Sequence, residues 1–175
     1  MNELDHSLLK RASRGNRESQ KALCEHYAPM VWNVVFRTVN GDAHAAADVT
    51  QEVFYRVLRS LKKFKHEAGF STWIYRIAFN ASMSYLGKRA RRRRRETTID
   101  ENGSGMGRDA GAGSRAEVRE ILARLSPEER FLLVAREVED LSFEQLAGIT
   151  GKSAGALRTS LHRLKERIRK EERYE

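Results

Sequence analysis

Between residues 96 and 114 the chain reads ETTIDENGSGMGRDAGAGS, and over that stretch every apolar period disappears. Gly, Ser and Asp dominate it, which is the composition of a flexible linker. On both sides apolar residues recur at helical spacing, and no alternating segment suggests a strand. Only two prolines interrupt the 175 residues. The break predicts an all-α chain of two small helical domains, 1–95 and 115–175, joined by the linker 96–114.

The charge narrows the partner. A net charge of +9 and a pI near 10.0 favour an anionic one. The charge is also segregated. Residues 127–147 carry two basic and six acidic side chains, whereas 152–170 carry seven basic and one acidic. Cys24 is the only cysteine, so a disulfide framework and a Cys-based metal site are excluded, and it reads as a small buried apolar residue. No acid cluster or His pair has metal spacing, so neither a cofactor nor an enzyme such as a nuclease is expected. No apolar run approaches spanning length and MNELDHSLLKR lacks a signal-peptide core, which predicts a cytoplasmic protein without membrane insertion.

In the N-terminal half, the spacing predicts a short helix over 3–14 with Leu4, Leu8 and Leu9 on one side. A second helix over 18–39 buries Leu23, Tyr27, Val31, Val34 and Val35, with Pro29 expected to kink or break it. Asn40-Gly41-Asp42 forms a turn, and Asp42 is placed to cap a third helix over 43–62. Val49, Val53, Val57, Leu58 and Leu61 make that helix's buried stripe. Asp48, Gln51, Glu52 and Tyr55 share a second, acidic-polar face, which on its own reads as a solvated surface.

The stretch LKKFKHEAGFSTWIYRIAFN, residues 61–80, asks for more than folding. Phe64, Phe70, Trp73 and Tyr75 are interleaved with Lys62, Lys63, Lys65, His66 and Arg76. Rings among cations suit unpaired nucleic acid, because each base offers a face to stack on and each phosphate a charge to neutralise. In a fourth helix over 70–91, Ile74, Ile77, Ala78, Ala81 and Tyr85 repeat at core spacing. Trp73, Arg76, Asn80 and Ser84 fall on the neighbouring strip. Trp73 there either completes the core or stands exposed beside Arg76. The run Arg91 to Arg95 is either a solvated helix end or a phosphate contact.

The C-terminal half is punctuated clearly. Val118, Ile121, Leu122 and Leu125 form one amphipathic stripe. Ser126-Pro127-Glu128-Glu129 and Ser142-Phe143-Glu144-Gln145 are two capping boxes. Phe131, Leu132, Val134 and Val138 are the expected buried side of the helix between them. The short second helix, the turn Thr150-Gly151-Lys152 and a long helix capped by Ser153 have the spacing of a helix-turn-helix. In the last helix Leu157, Leu161, Leu164 and Ile168 make an apolar stripe, and Arg158, His162, Lys165 and Arg169 a basic one, with Thr159 and Arg163 beside it. The N-terminal half of such a helix enters the major groove, where Arg can take guanine with two hydrogen bonds.

Four ordered motifs resemble the extracytoplasmic-function sigma factors, the minimal two-domain class of the sigma-70 family. Gly41-Asp42 with Asp48-Val49-Thr50-Gln51-Glu52-Val53-Phe54 resembles GD…EDVVQEVF. Phe70-Ser71-Thr72-Trp73-Ile74-Tyr75-Arg76-Ile77-Ala78 with Asn80 is similar to FSTWLYRIAxN. Leu125 to Arg130 with Leu141 to Ala147 resembles LPPEQR…LSYEEIA, and Gly155 to Arg163 resembles GTVKSRLHR. The resemblance implies that Asp48, Gln51 and Glu52 dock on the clamp helices of core RNA polymerase. It implies that Phe64, Lys65, His66, Trp73, Arg76 and Asn80 capture the non-template single strand of the −10 element. Arg158, Thr159, Ser160, His162 and Arg163 then become the candidate readers of duplex −35 DNA. It further implies an anti-sigma protein that covers these surfaces. Two positions depart from the pattern: Ala47 replaces the usual acid before Asp48, and Ser160 stands where Arg is common. The other binding reading is a helix-turn-helix regulator acting on duplex DNA without joining polymerase.

Overall fold

Asp5, Asn16 and Asp42 each start a helix by accepting a hydrogen bond from a backbone N–H inside its first turn. The helices they open are α1 (His6–Ser13), α2 (Arg17–Thr38) and α3 (Ala43–Ser60) in a computed structural model that describes residues 5–64, 69–97 and 120–172. Asn40 and Gly41 take positive φ values of 62° and 76° between α2 and α3, a left-handed turn that Asn and Gly adopt readily. A 3-10 turn, Leu61–Lys63, follows α3, and α4 spans Phe70–Thr97. In the C-terminal half come a helical stretch over 120–124, then α5 (Pro127–Glu137), α6 (Phe143–Thr150) and α7 (Ala154–Glu172). The described residues contain no strand, as expected of an all-α chain.

The predicted stripes bury most of their residues, with Leu58, Ile77, Tyr85 and Ile168 partly buried. Leu23, Val31, Val35, Val53, Val57 and Ile74 are fully enclosed in the N-terminal half, as are Phe131, Leu146 and Leu157 in the C-terminal half. Both capping boxes close in both directions, Ser126 with Glu129 and Ser142 with Gln145. Gly151, at φ 77°, ends α6 in the left-handed conformation, and Ser153 accepts from the N–H of Ala156 at 3.2 Å to open α7. Cys24 is half-buried against the core, and burial pushes its thiol pKa up. No helix among the described residues is long and apolar enough to cross a membrane.

Three expectations change. Pro29 does not break α2, which continues to Thr38 with Pro29 on its exposed side. Val138 is 47% exposed because α5 ends before it. The chain turns at Asp140, φ 52°, and Leu141 takes the core place instead. α4 runs on to Thr97, so the arginine run lies within a helix; arginine is a good helix former and cations favour a helix C-terminus. The two halves also pack together, which the spacing did not address. The rings of Phe79 and Phe131 meet at 4.9 Å, and Arg130, only 8% exposed, donates to the carbonyls of Thr38 and Leu125 at 2.8 and 2.9 Å.

Candidate nucleic-acid and polymerase interface

Three surfaces carry the residues singled out by sequence, and each stands on a different helix. On α3, Asp48 and Gln51 are exposed and Glu52 is half-buried, pairing with Arg56 at 2.7 Å. Tyr55 continues the face and accepts from Arg59 at 3.0 Å. The face is fixed in place by its neighbour. Asp42 caps α3 through the N–H of Ala45 and receives Arg89 of α4 at 2.7 Å, and both contacts hold its carboxyl below the usual range.

The second surface lies at the start of α4. Phe70 is buried and anchors a cluster in which Phe64 lies 5.0 Å from Phe70 and 5.2 Å from Trp73. Trp73 is half-buried, between the two readings open from sequence, because one side of its indole is covered by these rings. Arg76 and Asn80 point outward on the same helix. Arg76 is engaged: its Nε donates to the carbonyl of Gly148 on α6 at 2.6 Å. Lys65 and His66 lie outside the described residues. Tyr75, interleaved with these residues in sequence, points the other way and is fully buried.

On α7, Arg158, Thr159, Ser160, His162 and Arg163 are all exposed, while Leu157, Leu161 and Leu164 hold the helix to its neighbours. The Arg158 guanidinium sits 4.9 Å from the centre of the Phe143 ring, and Arg136 sits 5.2 Å from the same ring. An open groove of about 610 Å³ runs along this helix, lined by Thr159, Ser160 and Arg163 with Glu129 and Arg167. Among the described residues no group of His, Cys, Asp and Glu could hold a metal ion.

Two family models match in the order of these surfaces: sigma-70 region 2 over residues 23–92, and sigma-70 region 4 over residues 115–168. The chain is also 30% identical to the RNA polymerase sigma-H factor of Pseudomonas aeruginosa, over 96% of its own length and 93% of the relative's. This chain belongs to the extracytoplasmic-function group of the sigma-70 family. A second sigma factor, the ECF RNA polymerase sigma-E factor of Escherichia coli, is 30% identical over 94% of this chain and 92% of its own. The fold agrees with two solved structures. CnrH, in complex with the cytosolic domain of CnrY, matches with a TM-score of 0.69 and 21% identity, covering 94% of each chain. The sigma factor RpoE of Bartonella quintana, in complex with the anti-sigma factor NepR, matches with a TM-score of 0.71 and 17% identity, covering 86% of this chain and 94% of that one.

In this sigma factor the residue that sequence reasoning missed is Glu139. Its carboxylate accepts from Asn33 Nδ2 on α2 at 3.0 Å and from the Tyr75 hydroxyl on α4 at 2.8 Å. Burial, and then this carboxylate, drive the Tyr75 phenol pKa far above its ordinary value, so it stays a donor. In the sequence Phe143 is only a position within a capping box. A Phe preceding an exposed Arg-rich helix was the one available signal of its stacking role.

Proposed function

We propose that this sigma factor joins core RNA polymerase and directs it to promoters, reading −35 DNA as duplex and capturing unpaired −10 bases. What carries the reading is that regions 2 and 4 match in order and that the three faces they bring stand on three separate helices. Asp48, Gln51 and Glu52 offer the polymerase a polar face. Phe64 and Trp73 offer stacking surface, with Arg76 and Asn80 beside it, and Lys65 and His66, next to Phe64 in sequence, add cationic charge. Arg158, Thr159, Ser160, His162 and Arg163 enter the major groove at −35, Arg158 being held by its stack on Phe143.

Energetics require the division of labour. Opening a duplex costs about 1.4 kcal/mol per base-pair step, and stacking a base on an aromatic ring returns roughly 1–3 kcal/mol. One or two captured bases cannot melt a promoter alone, so polymerase supplies the remainder. The factor performs no chemistry of its own, works in the cytoplasm, and is held in check by an anti-sigma protein. A helix-turn-helix regulator acting alone is not favoured, because residues 23–92 match sigma-70 region 2. Co-elution with core polymerase on a sizing column tests the reading. Wild type is expected to shift with core, and Asp48→Lys with Gln51→Lys to remain in the free fraction. A wild-type chain that never co-elutes sinks the proposal.

A further inference from the structure

Resting on that −10 reading, we propose that the last turns of α4 are a DNA arm. In it Arg91 and Arg94 hold backbone phosphates of the duplex between the −10 and −35 elements. Successive residues of an α-helix are turned by about 100°. On that projection Trp73, Arg76, Asn80, Gly87, Arg91 and Arg94 fall within about 60° of one another. The strip faces away from Ile74, Ala78 and Ala81, which are buried on the same helix. Arg76, Asn80, Arg91 and Arg94 are all exposed. The base-capturing face thus continues along α4 into the arginine run.

Distance sets where the DNA is met. At about 1.5 Å of rise per residue, Arg91 and Arg94 stand roughly 22 and 27 Å along the axis from Arg76. Phosphates follow one another about every 3.4 Å along a strand, so the arm reaches about seven or eight base pairs beyond the −10 contacts. The chain leaves α4 for the −35 readers of α7, which directs the arm upstream. Chemistry selects the partner. From Lys88 to Arg95 seven of eight residues are basic, six of them arginine, and none is acidic. Like charges three and four residues apart oppose a helix, and a polyanion relieves that repulsion. The planar arginine fork matches two phosphate oxygens at once. Between Leu86 and Thr97 the only apolar side chain is that of Ala90, so the arm has nothing to bury in a membrane or an apolar groove. Its base is held in place. Arg89 reaches Asp42 at 2.7 Å, and Arg91 Nε donates to the Gly87 carbonyl at 3.2 Å.

The arm is tested with the full chain assembled on core polymerase and titrated against a fluorescein-labelled mapped promoter at several salt concentrations. Each phosphate contact adds about 0.9 to the slope of log affinity against log salt. Arg91→Gln with Arg94→Gln should therefore flatten that slope by about 1.8. Arg92→Gln with Arg93→Gln removes the same charge from other sides of the helix and should keep the wild-type slope. Arg91→Lys with Arg94→Lys, which retains the charge, should keep it too. Glutamine is a good helix former, so equal helicity is expected in both glutamine doubles by circular dichroism. On a template whose duplex stops at the upstream edge of the −10 element, wild type and the Arg91→Gln, Arg94→Gln chain should share one slope. A slope that ignores Arg91 and Arg94, that both glutamine doubles flatten equally, or whose loss persists on the shortened template overturns the arm. So does failure of the Arg91→Gln, Arg94→Gln chain to co-elute with core polymerase without DNA, because the face then docks on protein. Trp73→Ala separates the two claims. Permanganate-reactive thymines indifferent to Trp73 sink the −10 reading. Thymines that need Trp73, with a slope that ignores Arg91 and Arg94, sink the arm alone.

Discussion

At Phe143 one ring serves two guanidinium groups, and only one of them, Arg158, lies on the recognition helix. A pair of this kind at a partly exposed site is worth about 0.5–1 kcal/mol. Phe143→Leu keeps bulk but removes the π-face, and is expected to weaken −35 duplex binding two- to fivefold, read by fluorescence anisotropy against Phe143→Tyr, which should bind as wild type. Asp42 gives a pH prediction. The Ala45 N–H and then Arg89 lower its pKa from the ordinary 3.8. A depressed carboxylate contributes stability above the unfolded value, and that stability is lost as pH falls through the folded one. Asp42→Asn keeps the cap but removes the titrating charge. Its melting temperature should lie below that of wild type at neutral pH, and the two should converge as pH drops below 3.8. Parallel melting curves down to the lowest pH would show that Asp42 carries no such linkage.

Elements were the most legible scale, for a local reason. In each capping box the partners sit three residues apart, so Ser126 with Glu129 and Ser142 with Gln145 could be read as helix starts before any fold was known. Replacing either Ser by Ala should cost about 1 kcal/mol, seen as a lower midpoint in urea denaturation followed by circular dichroism. Where an element's end depends on tertiary context, sequence misled. The buried stripe of α5 was extended to Val138 because its 3.6-residue period continues, but the chain leaves the helix there and Leu141 fills the core. The fourth helix, expected over 70–91, runs on to Thr97, because no apolar period marks its last turns and only the helix former arginine carries it there.

Across the whole molecule, the helical architecture was written in apolar spacing and the family in four motifs. The packing of one half on the other was not. Glu139 meets partners 64 and 106 residues away, and Arg130 reaches a carbonyl 92 residues away, so no local period could announce them. The candidate surfaces follow the same division: the exposure of Arg158 and His162 on α7 was legible as a basic stripe, while the engagement of Arg76 by Gly148 was not. The central claim is that Phe64 and Trp73 hold unpaired −10 bases once polymerase has bound. Its most direct test is permanganate footprinting of a mapped promoter with core polymerase and either wild-type factor or the Phe64→Ala, Trp73→Ala double variant. Losing two stacked bases at roughly 1–3 kcal/mol each should abolish the reactive thymines of the open complex while leaving co-elution with core intact. Reactive thymines at the wild-type level in the double variant would contradict the account.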